Sequence, residues 1–79
     1  MRILEANRVL DCSGLFDPLP TIKTAQAIME IQVGQVLEVI ATYTAAPADI
    51  PAWSRLTGNE LLDAHQDGAK FIFFIRRVK

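Results

Sequence analysis

Residues 10–20 read Leu-Asp-Cys-Ser-Gly-Leu-Phe-Asp-Pro-Leu-Pro, and this stretch constrains the fold more than any other. A short apolar run precedes it and a long amphipathic pattern follows, so the chain turns here from a strand into a helix. Gly14 gives the backbone the freedom such a turn needs. Asp17 is placed to accept hydrogen bonds from the first free amides of the helix. Pro18 suits the first helical position, with φ already set, and Pro20 closes the Pro-Leu-Pro run. Whatever side chain stands at that cap faces solvent at the positive end of a helix dipole.

The first strand is expected at about residues 8–12, with Ile3 and Leu4 as an earlier apolar flank. From 18 to about 32 the spacing is helical. Leu19, Ile22, Ala25, Ile28 or Met29, and Gln32 with Val33 recur every three or four residues, while Lys23, Gln26 and Glu30 point away. Gly34 is placed to stop this helix. Residues 36–42, V-L-E-V-I-A-T, are rich in β-branched side chains and follow at once. A helix of about 15 residues between two strands implies a βαβ unit with parallel strands.

Residues 43–48 form a loop containing Pro47. Asp49-Ile50-Pro51 reads as a second helix start, with Asp49 as cap and Pro51 in the first turn; Thr44 is the alternative cap. Ile50, Trp53 and Leu56 make its apolar stripe, and Gly58 ends it. A third strand over 60–66, a tight turn at Asp67-Gly68 and a fourth strand over 70–78 complete a hairpin.

The order β-α-β-α-β-β predicts an α/β (α+β) two-layer sandwich, a four-stranded mixed sheet with both helices on one face. The fourth strand is apolar on both sides, with Phe71, Phe73 and Ile75 against Ile72 and Phe74. The second strand doubles in the same way, with Leu37, Val39 and Ala41 against Val36, Glu38 and Ile40. The uncovered sheet face therefore offers a surface for a partner or for a second copy, as a homodimer.

At 79 residues the whole of 1–79 is expected to be one domain, since a chain this short buries only about 60–65% of its unfolded surface. The net charge of −1 gives no general attraction for phosphates, which argues against nucleic acid as a partner. No stretch reaches the roughly 18 apolar residues of a membrane span, and charges at Arg2, Glu5 and Arg8 interrupt any signal-peptide block. A cytoplasmic protein is expected.

Cys12 is the one cysteine, so no internal disulfide forms. At the end of a strand it is expected to be buried, a small hydrophobe with a raised pKa; to accept sulfur it must instead be exposed near a helix N-terminus. Asp17 has no histidine or second carboxylate close in sequence, so residue chemistry alone makes it a cap. His65, the one histidine, has no partners at metal-ligand spacing; it reads as a surface residue, and neither a metal nor a cofactor is indicated. Trp53 belongs to the core. Arg76, Arg77 and Lys79 form a basic end suited to an anion or an acidic partner.

Across almost its full length the chain resembles the TusA/SirA-like sulfur-carrier family. The matching pieces are L-D-C-S-G-L at 10–15, P-L-P at 18–20, V-G-Q-V-L-E-V at 33–39, D-I-P-A-W at 49–53, T-G-N-E-L-L at 57–62 and F-x-I-R-R at 73–77. The resemblance implies the same βαβαββ sandwich. It also implies a sulfurtransferase-type carrier that holds sulfur as a persulfide on the cysteine of a C-P-x-P motif at the start of the first helix. A cysteine desulfurase loads that cysteine and sulfur-relay proteins unload it. Helix-terminal amides and the dipole favour the thiolate there. In this chain the motif reads D-P-L-P, so the family's cysteine position falls on Asp17, and a carboxylate cannot become a persulfide. Tyr43-Thr44 stands where many members have Asp-Pro. The expectation is a sulfur-relay family protein that does not carry persulfide at the usual position. The alternatives are sulfur transfer through Cys12, or a regulatory or protein-interaction module.

Overall fold

Two strands lie side by side and parallel in the computed structural model, which describes residues 5–79. They are β1 (Arg8–Cys12) and β2 (Val36–Ala41), joined by α1 (Leu19–Ile28). Parallel neighbours need a crossover, and α1 supplies it. The chain continues through α2 (Ala46–Thr57) to β3 (Glu60–Asp67) and β4 (Lys70–Arg76). β4 pairs antiparallel with β2 and with β3, which gives the sheet order β1-β2-β4-β3. The β-α-β-α-β-β order and the mixed sheet are as the sequence predicts. The Ile3–Leu4 flank lies outside the described residues.

The two most apolar strands take the centre. Alternation sends Leu37, Val39 and Ala41 of β2 to one face, opposite Ile75, Phe73 and Phe71 of β4. Ala27 and Ile28 from α1 and Ala46, Ile50 and Trp53 from α2 close over that face, and all are buried. The outermost strand β3 is mostly exposed and carries a register irregularity between Leu61 and Asp63, which discourages edge pairing.

α1 is phased differently from the sequence reading, whereas α2 buries Ile50 and Trp53 as expected and departs only at Leu56. Along α1 the inward residues are Pro20, Thr24, Ala27 and Ile28, continued by Ile31. Leu19, Ile22 and Val33, expected in the core, are exposed, and of the alternatives Ile28 and Met29 it is Ile28 that turns inward. Both series have three- and four-residue spacing, so periodicity alone did not separate them. The inward face wins because Thr24 and Ala27 are small and let the helix approach the sheet. The Thr24 hydroxyl hides its polarity by donating to the Pro20 carbonyl at 2.7 Å.

α1 also stops earlier than Gly34. The Met29 and Glu30 amides bond three residues back, to Gln26 and Ala27 at 3.2 and 3.0 Å, which tightens and ends the last turn. The guanidinium of Arg77 donates to the Ile31 carbonyl at 2.6 Å, satisfying the segment after the helix.

The second helix starts earlier than expected. Ala45 is its N-cap residue, and no side chain caps it, so neither Thr44 nor Asp49 plays that part. Pro47 occupies the first turn; Asp49 lies in that turn as an acidic residue, and Pro51 sits inside the helix. The buried stripe is Ala46, Ile50, Trp53 and Ser54, which leaves Leu56 88% exposed. Ser54 is accommodated by donating to the Asn59 carbonyl at 2.6 Å. Gly58 ends the helix in the left-handed conformation, φ +78°, as the sequence requires.

The face opposite the helices exposes less apolar surface than expected. Phe74 is only 4% exposed, with the His65 ring stacked on it at 6.4 Å, and Glu38 is buried as well. Ile40 and Ile72 are half-buried. Among the described residues five larger exposed apolar side chains lie on or beside α1, Phe16, Leu19, Ile22, Met29 and Val33, while Val9, Leu56 and Val78 are exposed elsewhere.

The phase of α1 is open to a paired test. Ile28 is 2% exposed and Met29 is 63% exposed. Urea unfolding is expected to show Ile28→Ala costing about 2–5 kcal/mol, against at most about 0.5 kcal/mol for Met29→Ala. The reverse order would show that the helix is rotated.

Candidate functional site

The carboxyl ends of β1 and β2 and the first turns of both helices meet at one end of the molecule. In open α/β sheets this is where ligand sites form. The turn leaving β1 is built from local hydrogen bonds. Asp11 Oδ1 accepts from the Ser13 amide at 2.9 Å, and the Leu15 amide donates to the Cys12 carbonyl at 3.1 Å. Gly14 has φ +80°, which side-chain-bearing residues rarely adopt. Its amide donates to Thr42 Oγ1 at 2.8 Å, tying the turn to the end of β2.

Asp17 does not cap α1. Pro18 is itself the N-cap residue and Leu19 the first helical one, so Asp17 stands one position outside with no side-chain cap bond. The helix opens with the Leu19 amide donating to the Phe16 carbonyl at 2.9 Å and Ile22 to Pro18 at 3.1 Å. Pro18 and Pro20 have no N–H, and Pro20 is buried in the first turn. The free amides expected at this end are therefore largely gone. Thr21 alone keeps a first-turn amide with no partner among the described residues. Asp17 and Phe16 are exposed at this edge, Phe16 by 76%.

A tyrosine that sequence reasoning passed over joins the two helix starts. Tyr43, just past β2, is buried and donates to Asp49 Oδ2 at 3.2 Å. Burial pushes its hydroxyl pKa up; the Asp49 and Asp17 carboxylates add to the rise, and the Thr21 hydroxyl opposes it. Tyr43 is thus placed among Thr21 of α1, Asp49 of α2 and the charge of Asp17. Its position between a β-branched strand and the Asp49 helix was the available signal.

Cys12 is elsewhere. It is fully buried on the helix-facing side of β1, beside Ala41 in the ladder. Burial raises its thiol pKa, Lys23 pulls it down and Asp11 adds a smaller rise.

His65 Nδ1 lies 2.7 Å from Asp63 Oδ2 on β3. Among the described residues no three His, Cys, Asp or Glu side chains converge to hold a metal. Of the basic end, Arg76 pairs with Glu60, while the Arg77 guanidinium serves the loop after α1. Among the described residues no helix is long and apolar enough to cross a membrane.

Residues 8–77 match the family model described as Sulfurtransferase TusA. The chain belongs to the TusA sulfurtransferase family. It is 41% identical over 68 residues to the sulfur carrier protein TusA of Allochromatium vinosum, covering 86% of this chain and 90% of that one. Against the sulfur carrier protein TusA of Pseudomonas putida it is 36% identical over 69 residues, covering 87% and 86%. The crystal structure of a SirA-like protein from Desulfitobacterium hafniense superposes with a TM-score of 0.78 at 18% identity, over 91% of this chain and 99% of that one. At that identity the likeness is one of fold.

In this TusA-family chain Tyr43 links pH to stability. A hydroxyl whose pKa is higher folded than unfolded stabilises fully below the unfolded value of about 10, and this contribution is lost as pH rises through the folded value. Tyr43→Phe is expected to cost about 0.5–1.5 kcal/mol near neutral pH through the lost bond to Asp49. Urea titrations repeated up to about pH 11 should show the gap between the two proteins closing.

Proposed function

We propose that this chain is a sulfur-relay family protein that docks relay partners without carrying persulfide at the motif position. Asp17 stands where the family pattern has its cysteine. The observation that carries the reading is the division between two residues. The exposed position before α1 is a carboxylate, and the one thiol is wholly buried with its pKa raised.

A persulfide forms when a thiolate attacks a sulfur held by a donor, and only the thiolate form is nucleophilic. Asp17 has no sulfur and takes no part in that step. It does keep a negative charge at the positive end of the α1 dipole, as a thiolate would. Docking that recognises this charge survives while transfer is lost. A cysteine desulfurase or a downstream relay protein is the partner class, and one cytoplasmic domain over 1–79 completes the reading.

Incubation with a cysteine desulfurase and cysteine, followed by intact-mass measurement, tests it. The protein as it stands should gain no sulfur, and Asp17→Cys should gain one atom. A sulfur gained on Cys12 would overturn the proposal, as would an Asp17→Cys protein that folds and stays unmodified. Iodoacetamide labelling supplies an independent check on Cys12. Labelling should be slow in the folded protein without a low-pKa transition, and fast once urea unfolds the chain.

A further inference from the structure

Asp17 differs from a cysteine in how far its charge stands from the backbone. The carboxylate oxygens of an aspartate are two bonds from Cβ. A thiolate sulfur is one bond from Cβ, and the terminal sulfur of a cysteine persulfide is two. On the same backbone Asp17 therefore sets its negative charge at the reach of the loaded group, beyond that of the empty one.

The surroundings leave that charge uncommitted. Asp17 is exposed one position before Pro18 and makes no hydrogen bond to another described residue. Of the other carboxylates at this end, Asp11 accepts from the Ser13 amide and Asp49 from the Tyr43 hydroxyl. Phe16 and Leu19 beside Asp17 are exposed as well, so a partner that reaches residue 17 meets apolar surface whose contact does not depend on sulfur.

The charge is also permanent. In transfer an acceptor thiolate attacks the terminal sulfur of the donor's persulfide. A new S–S bond forms, the old one breaks, and the donor's cysteine leaves as a thiolate, with no net oxidation. A carboxylate gains nothing from the same attack. Carboxylates have reference pKa values of about 4 and thiols about 8.5, so the carboxylate is the better leaving group and would be expelled again. The sulfur stays on the donor.

From this placement we propose that the chain is a permanent mimic of the loaded carrier, which holds the sulfur donor as a product does and blocks delivery to carriers that have the cysteine. This role rests on the docking to relay partners proposed above and adds what that docking does. It has one specific consequence. The transferred sulfur sits on the donor or on the carrier, never on both. The chain thus fits a donor whose cysteine is empty, and it meets a second anion where the donor bears a persulfide, an arrangement that weakens an interface.

A cysteine desulfurase is the probe, either sulfur-free or charged by a pulse of cysteine and desalted. Calorimetry should show the wild-type chain binding the sulfur-free enzyme at least about tenfold more tightly than the persulfide-bearing one. Asp17→Asn has the same shape without the charge and should lose that preference. In sulfur transfer to Asp17→Cys, followed by intact mass, added wild-type chain should raise the apparent KM and leave kcat unchanged. Both substitutions are at an exposed residue, and circular dichroism checks that each variant is folded. Equal binding to the two enzyme states, or a preference kept in Asp17→Asn, would overturn the mimicry and leave docking in place. Binding to neither state would overturn docking itself. The binding measurement decides whether or not Asp17→Cys accepts sulfur.

Discussion

The pairing of β2 with β4 is the contact on which the rest of the molecule depends. It sets Leu37, Val39 and Ala41 directly against Ile75, Phe73 and Phe71. β1 can then be added only as a parallel neighbour, because β2 has its other side occupied and α1 must span the distance back. Helix α2 and strand β3 follow as the connection that returns the chain to β4. The βαβ half and the hairpin half of the sequence meet in this one pair. Without it the edges of β2 and β4 stand unpaired and the shared core under the two helices is divided.

The architecture was legible because its signals are redundant. Strand β2 is rich in β-branched residues, Gly68 with Ala69 makes the two-residue turn after Asp67, and Gly58 stops a helix with a positive φ. The rotation of α1 was not legible for a physical reason. α1 has apolar residues on two faces, and the choice between them rests on side-chain volume at Thr24 and Ala27, which a periodicity reading does not weigh. α2 misled in a similar way: Leu56 continues the spacing of Ile50 and Trp53, yet Ser54 takes the inward place because its hydroxyl finds the Asn59 carbonyl.

The candidate site was legible in part. The strand-to-helix turn lies where residues 10–20 put it, and Gly14 has the conformation expected of it. The caps at Asp17 and Asp49 were misjudged because each was paired with the wrong proline. At α1 the cap position is Pro18 itself, and at α2 the first-turn proline is Pro47 rather than Pro51. Tyr43, visible in the sequence only as a departure from the family's Asp-Pro, and Thr21 were not legible as neighbours because they approach each other only in three dimensions, where two helix starts meet at the end of the sheet.

The two prolines flanking Leu19 have a consequence for how this site changes over time. By removing amides from the start of α1 they leave only the Thr21 amide free there, and Asp17 makes no hydrogen bond to another described residue. The scaffold is thus indifferent to what stands there. Its turn is held by Gly14 and Thr42, and its helix by the face toward the sheet. A single substitution at this position can exchange one chemistry for another while the fold stays as it is, so reactivity and architecture are free to evolve separately.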